Sequence, residues 1–98
     1  MNVTTIRETP ILVAKYSSWN GCNYREIFIG ELKAAKIGTV FQAEGDCCGR
    51  DVTDISFKVV YKDGTGCTVV QHEEGTTDSD DPKEYVANDE LLWIQFGN

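Results

Sequence analysis

Long apolar runs are missing from this chain. The longest, residues 11–14 (ILVA) and 91–94 (LLWI), span four residues each, against the roughly 20 that a membrane helix needs. No membrane-spanning helix is therefore expected. The amino-terminal stretch MNVTTIRETPILVAK has neither the basic start nor the apolar centre of a signal peptide, so a cytoplasmic setting is expected. Basic residues are few and scattered: nine Lys and Arg stand against 16 Asp and Glu, a net charge of −7. Phosphate neutralisation needs clustered cations, as does attraction to anionic lipid. Neither direct nucleic-acid binding nor membrane binding is expected.

Catalytic vocabulary is thin as well. His72 is the single histidine, so any His-dependent mechanism must use it as base. The chain has no G-x-S-x-G elbow and no glycine-rich phosphate loop. It has no C-x-x-C pair either, which weakens a zinc reading built on Cys22, Cys47, Cys48, Cys67 and His72. Four soft ligands would suffice for a tetrahedral ion, yet the adjacent Cys47 and Cys48 point apart. A reactive thiol at that pair is disfavoured too, because Glu44, Asp46 and Asp51 surround it and raise a thiol pKa. In a reducing compartment free or metal-bound thiols are the default. No cofactor is expected, and the chain is read as non-enzymatic.

What is present is a β pattern. At 98 residues, 41% hydrophobic and 26% charged, the composition fits one globular domain spanning 1–98. Ile55, Phe57, Val59 and Tyr61 alternate with Asp54, Ser56, Lys58 and Lys62, a period of two with one apolar face. Residues 62–65 (KDGT) then signal a hairpin in which Gly64 can take positive φ. A three-residue loop with a bulge at Gly64 turns Cys67 and Val69 inward and His72 outward beside Asp54. A two-residue loop reverses those faces. Residues 2–7, 11–16, 24–29 and 39–43 read as further short strands. Residues 31–36 favour one or two helical turns, ended by Gly38. Residues 91–96, apolar on both faces, suit a centrally buried strand, with a short helix capped by Asn88 as the competing reading. The expected fold is all-β or β-rich α+β. It is a small antiparallel barrel or sandwich of six to seven short strands with at most one or two short helices.

Two surface features compete as binding devices. Residues 73–90 hold eight acids (Glu73, Glu74, Asp78, Asp80, Asp81, Glu84, Asp89, Glu90) and one base, Lys83. The rest of the chain is balanced, so the whole net charge sits in this stretch. An EF-hand pattern is absent, since Pro82 occupies a ligand position and no glycine follows. Read as a loop, the stretch is either plain solvated connection or an acidic docking face. Glu73, Glu74, Asp78, Asp80, Asp81 and Glu84 would then meet a protein partner with a basic surface. Size and charge match the style of small phage- or mobile-element-encoded antagonists of host defence, acting as interaction or inhibitor proteins. The alternative is a small-molecule or nucleotide site on the aromatic loop 16–24, using Tyr16, Trp19, Asn20 and Tyr24. An exposed edge among the amino-terminal strands could pair two copies as a homodimer.

Overall fold

The computed structural model describes residues 9–18, 21–45, 52–77 and 84–97. Its strands are β1 (Leu12–Ser18), β2 (Gly21–Ile27), β3 (Val40–Phe41), β4 (Val52–Lys62), β5 (Gly66–Thr77) and β6 (Glu84–Gln95), with one helix, α1 (Ile29–Ala34). All six strands share a single antiparallel sheet of order β2-β1-β4-β5-β6, with β3 pairing β4 beside the end of β1. The β-rich antiparallel fold with one short helix is as expected. Among the described residues the strands form one open sheet, neither the two sheets of a sandwich nor a closed barrel. Three of them, at 11, 12 and 12 residues, are longer than the short strands expected. The molecule is a slab measuring 56 × 38 × 15 Å, close to one sheet with a thin cover. No helix among the described residues is long and apolar enough to cross a membrane.

The alternation in β4 dictates which face is covered. Ile55, Phe57 and Val59 share a face with Cys67 and Val69 of β5 and Leu92 and Ile94 of β6, by the paired registers Val59↔Val69↔Leu92 and Cys67↔Ile94. Phe57, Val59, Cys67, Val69 and Ile94 are buried there, together with Ala14, Ile27, Leu32 and Phe41. This inner face carries the core. It is closed by α1, whose one buried residue is Leu32, and by the β1–β2 hairpin, through Ala14 and Ile27.

Local chemistry starts and stops the helix. The Glu31 carboxylate accepts the Phe28 backbone N–H at 2.9 Å, satisfying an orphan donor of the first turn. The same carboxylate takes the Arg25 guanidinium at 2.6 Å. The Phe28 N–H and then Arg25 hold the Glu31 carboxyl below its usual range. Gly38, at φ 98°, turns the chain after the helix, a conformation that side-chain-bearing residues avoid. Its N–H donates to the Val59 carbonyl at 2.7 Å, leading into β3. From across the sheet the Lys62 ammonium donates to the Ala35 carbonyl at 2.7 Å, and to that of Lys33.

Several expectations are corrected. Residues 24–29 are not all strand: β2 ends at Ile27 and α1 begins at Ile29, because Phe28 and Glu31 set up a helix start. Residues 91–95 lie in β6, which among the described residues is an edge strand, not a central one. Leu92 and Ile94 turn inward, while Leu91 is 69% exposed on the outer face, which no described element covers at that position. In the β4–β5 turn the register shift sits between Val59 and Tyr61, not at Gly64, and Gly64 is not among the positive-φ glycines. The Asp63 carboxylate does the turning instead. Its Oδ1 accepts the Thr65 N–H at 2.7 Å, the Thr65 hydroxyl at 2.6 Å and the Gly66 N–H at 3.1 Å. The strand expected at 2–7 lies outside the described residues.

Candidate docking face

The face opposite α1 is built by the other half of each strand. Its rows, read across β4, β5 and β6, are Tyr61–Thr68–Trp93, Lys58–Val70–Leu91, Ser56–His72–Asp89 and Asp54–Glu74–Ala87. The irregularity after Val59 has a direct consequence here. An extra residue in one strand of an antiparallel pair breaks the alternation. Tyr61 therefore joins the outer face, while Lys62 returns to the inner face beside α1. Val60 and Tyr61 are both exposed.

One end of this face is apolar. Val40, Val60, Tyr61, Leu91 and Trp93 are all exposed large hydrophobic residues, Trp93 at 51%. The Tyr61 and Trp93 rings lie with centroids 6.4 Å apart, inclined at 35°. Gly66 leaves no room for a side chain beneath the Trp93 ring and the Ile94 carbonyl. The Trp93 ring is thus held against the sheet while half of it meets solvent. A shallow groove of about 370 Å³ runs from Val40, Val60 and Val70 over Ser56 and Lys58 to His72 and Asp89.

The other end is acidic. His72 places Nδ1 on the Asp89 carboxylate of β6 and Nε2 3.3 Å from the Glu74 carboxylate, two residues along β5. Both ring nitrogens donate when the imidazole is charged. The hydrogen bond to Asp89, then that to Glu74, raises the His72 pKa above its usual 6.5. Asp54 sits opposite Glu74. Burial, then the Glu74 charge, pushes its carboxyl up, partly offset by His72. Asp54 Oδ1 is buried with no hydrogen-bond partner. The inner face of the same end is acidic too, in the rows Ile55–Glu73–Asn88 and Phe57–Gln71–Glu90.

The described parts of the acidic stretch are therefore strand, not loop. Residues 73–77 complete β5 and residues 84–90 open β6. Alternation and β-forming Thr, Tyr and Val residues carry the pairing through the charges, of which Asp89 and Glu90 are exposed to solvent. Glu73 and Glu74 are described on opposite faces of β5. Asp78, Asp80 and Asp81 lie outside the described residues; Glu84 is placed only as the start of β6.

The aromatic candidates are split. Tyr16 pairs with Asn23 and Tyr24 with Lys15. These are consecutive rows of one ladder, so the two tyrosines point to opposite faces. Tyr16 lines a polar cleft of about 680 Å³ with Asn23, Gln42, Glu44 and Asp54. Trp19 and Asn20 lie outside the described residues, as do Cys47 and Cys48. Cys22 is exposed on β2, whereas Cys67 is buried in the core. Burial pushes the Cys67 thiol pKa up, so that sulfur is a packing group. Cys67 and His72 occupy opposite faces of β5 and do not share a ligand site. Among the described residues no group of three or more metal-binding side chains comes together.

The residues missed by sequence reasoning are Asp89 as the partner of His72, and the apolar pair Leu91 and Trp93. The i, i+2 spacing of Asp89, Leu91 and Trp93 carried the signal, since residues two apart share a strand face. No protein-family model matches the chain, and neither the curated proteins nor the solved structures searched give a match.

Proposed function

We propose that this chain is a non-enzymatic binding protein that docks a basic surface of a larger protein through the acidic end of its three long strands. The observation behind this reading is the confinement of the entire net charge of −7 to residues 73–90, whose strand portions belong to one paired hairpin. A paired hairpin fixes its carboxylates on a rigid support, so less ordering entropy is lost on binding than with a free acidic tail. Concentrated charge of one sign steers association with a surface of the other sign.

The adjoining groove adds the apolar component that charge alone lacks. Interfaces gain affinity at buried aromatic anchors and gain on-rate at charged rims. Trp93 and Tyr61 at one end and the acids at the other match that division. Where the partner uses its basic surface to grip nucleic acid, occupation by these carboxylates inhibits it, in the style of a small antagonist. Pull-down from the source cell at low and high salt tests the reading. A partner captured at low salt and released at high salt is expected. Capture that is indifferent to salt contradicts it.

A further inference from the structure

Strand β6 is an edge strand: among the described residues it pairs with β5 alone. The direction of its backbone groups follows from one hydrogen bond. The Phe96 N–H donates to the Thr65 carbonyl at 2.9 Å, continuing the register Gly66↔Gln95 and Cys67↔Ile94 by one pair. In an antiparallel ladder, hydrogen-bonded and non-hydrogen-bonded pairs alternate. Even-numbered residues of β6 thus turn N–H and C=O toward β5. Ala87, Asp89, Leu91, Trp93 and Gln95 turn theirs outward, an edge about 30 Å long that no described strand pairs.

Natural edges are commonly blunted by proline, lysine or a bulge. The register of β6 is regular throughout, and residues 84–95 contain neither proline nor lysine. Over residues 89–94 the edge carries two acids, which give charge protection at one end only, followed by four apolar residues. Asp89, Leu91 and Trp93 project on the outer face; Glu90, Leu92 and Ile94 project on the inner. We propose that this edge is a strand-addition site for an extended segment of a protein partner. That segment is basic where it passes Asp89 and Glu90 and apolar where it passes residues 91–94. The proposal rests on the reading of a basic protein partner and supplies its docking mode. Charge selects the occupant: a basic strand is attracted to an acidic edge, whereas a second copy of this chain brings another −7.

The probe is a ten-residue peptide carrying Lys-Lys beside Val-Thr-Val-Thr, with binding followed by tryptophan fluorescence. A second version is N-methylated on alternate amides, which removes ladder hydrogen bonds and leaves every side chain in place. On the protein, Leu91→Pro deletes an outward N–H without touching the β5 ladder, a position where proline is tolerated. Leu91→Ala keeps that N–H. The expected result is at least about a tenfold weaker complex for Leu91→Pro than for Leu91→Ala, and a similar loss on N-methylation. Failure of the wild-type chain to bind the probe overturns strand addition. So does equal binding by the two Leu91 variants together with indifference to N-methylation, and that outcome leaves acidic docking standing. Binding that needs the backbone groups but ignores salt and the Asp89→Asn/Glu90→Gln variant overturns the basic-partner reading instead. A dimer of the wild-type chain that Leu91→Pro dissociates assigns the edge to a second copy and overturns the proposal.

Discussion

Replacing Leu32 by alanine should remove a large fraction of this protein's stability. Leu32 is completely buried and is the one buried residue of α1. At six residues α1 is too short to hold together in water on its own, since isolated helices below about 12 residues are marginal. It stays folded because Leu32 inserts into the core on the inner face of the sheet, in the cluster that also holds Val59, Val69 and Ile94. Truncating a fully buried leucine costs about 2–5 kcal/mol, made up of lost transfer energy and the cavity left behind. The upper half of that range is expected here, because loosening the helix also frees the carbonyls that hold the Lys62 ammonium. Domains of this size have roughly 5–15 kcal/mol in total. A loss of about 4 kcal/mol lowers the melting temperature by roughly 15–30 °C, and urea unfolding followed by circular dichroism reads the change directly. Lys33→Ala, on the exposed side of the same helix, is the control and should shift stability by less than about 0.5 kcal/mol. A Leu32→Ala cost below about 1 kcal/mol would refute the reasoning, because the helix would then not be anchored by that side chain.

The pH dependence of stability reports on the His72 cluster. The folded-state pKa of His72 lies above the usual 6.5, so its contribution is complete below about pH 6.5 and fades as pH rises through the raised value. The Asp54 carboxyl, raised from 3.8, acts in the same direction at lower pH. Exposed pairs contribute about 0.2–1 kcal/mol each. His72→Gln should therefore flatten the stability profile between pH 6 and 9 by less than about 2 kcal/mol, and less again at high salt; an unchanged profile in urea melts contradicts the pairing. Asp63 behaves oppositely. The Thr65 hydroxyl, then the Thr65 N–H, lowers its carboxyl to about 2, so the stability it lends is complete above about pH 3.8 and is lost as pH falls toward 2. Asp63→Ala should remove that acid step and lower the melting temperature by several degrees, as differential scanning calorimetry would record.

Much of this fold was legible in the amino-acid order, and the reasons are local. The alternation of Ile55, Phe57 and Val59 against Asp54, Ser56 and Lys58 fixed one apolar face of β4. The inward placement of Cys67 and Val69 and the outward placement of His72 match the faces of the three-residue loop, one of the two alternatives that the sequence left open; the register is set by the irregularity after Val59 and by the Asp63 carboxylate. His72 consequently stands opposite Ser56 rather than Asp54. Three things were not legible. Charge density made residues 73–90 look like a loop, yet pairing depends on backbone groups and alternation, which charge does not forbid on a solvated face. The apolar run at 91–96 looked central because its composition says nothing about whether a second layer covers the sheet. Sequence reveals which residues share a face. It does not reveal that α1 and the β1–β2 hairpin close only the inner one, leaving Leu91 and Trp93 in solvent. The contact of His72 with Asp89 was hidden for a related reason, since it needs the β5–β6 register across a connection of several residues.

The central claim is that the acidic end of the long strands docks a basic protein surface. Its most direct measurement compares the captured partner's affinity for the wild-type chain and for a Glu73→Gln/Glu74→Gln/Asp89→Asn/Glu90→Gln variant, each at low and at high salt. The account predicts that the variant binds at least about tenfold more weakly at low salt and that the two converge as salt rises and screening shortens the reach of the charges. Equal affinity at low salt, with the variant folded, would contradict it.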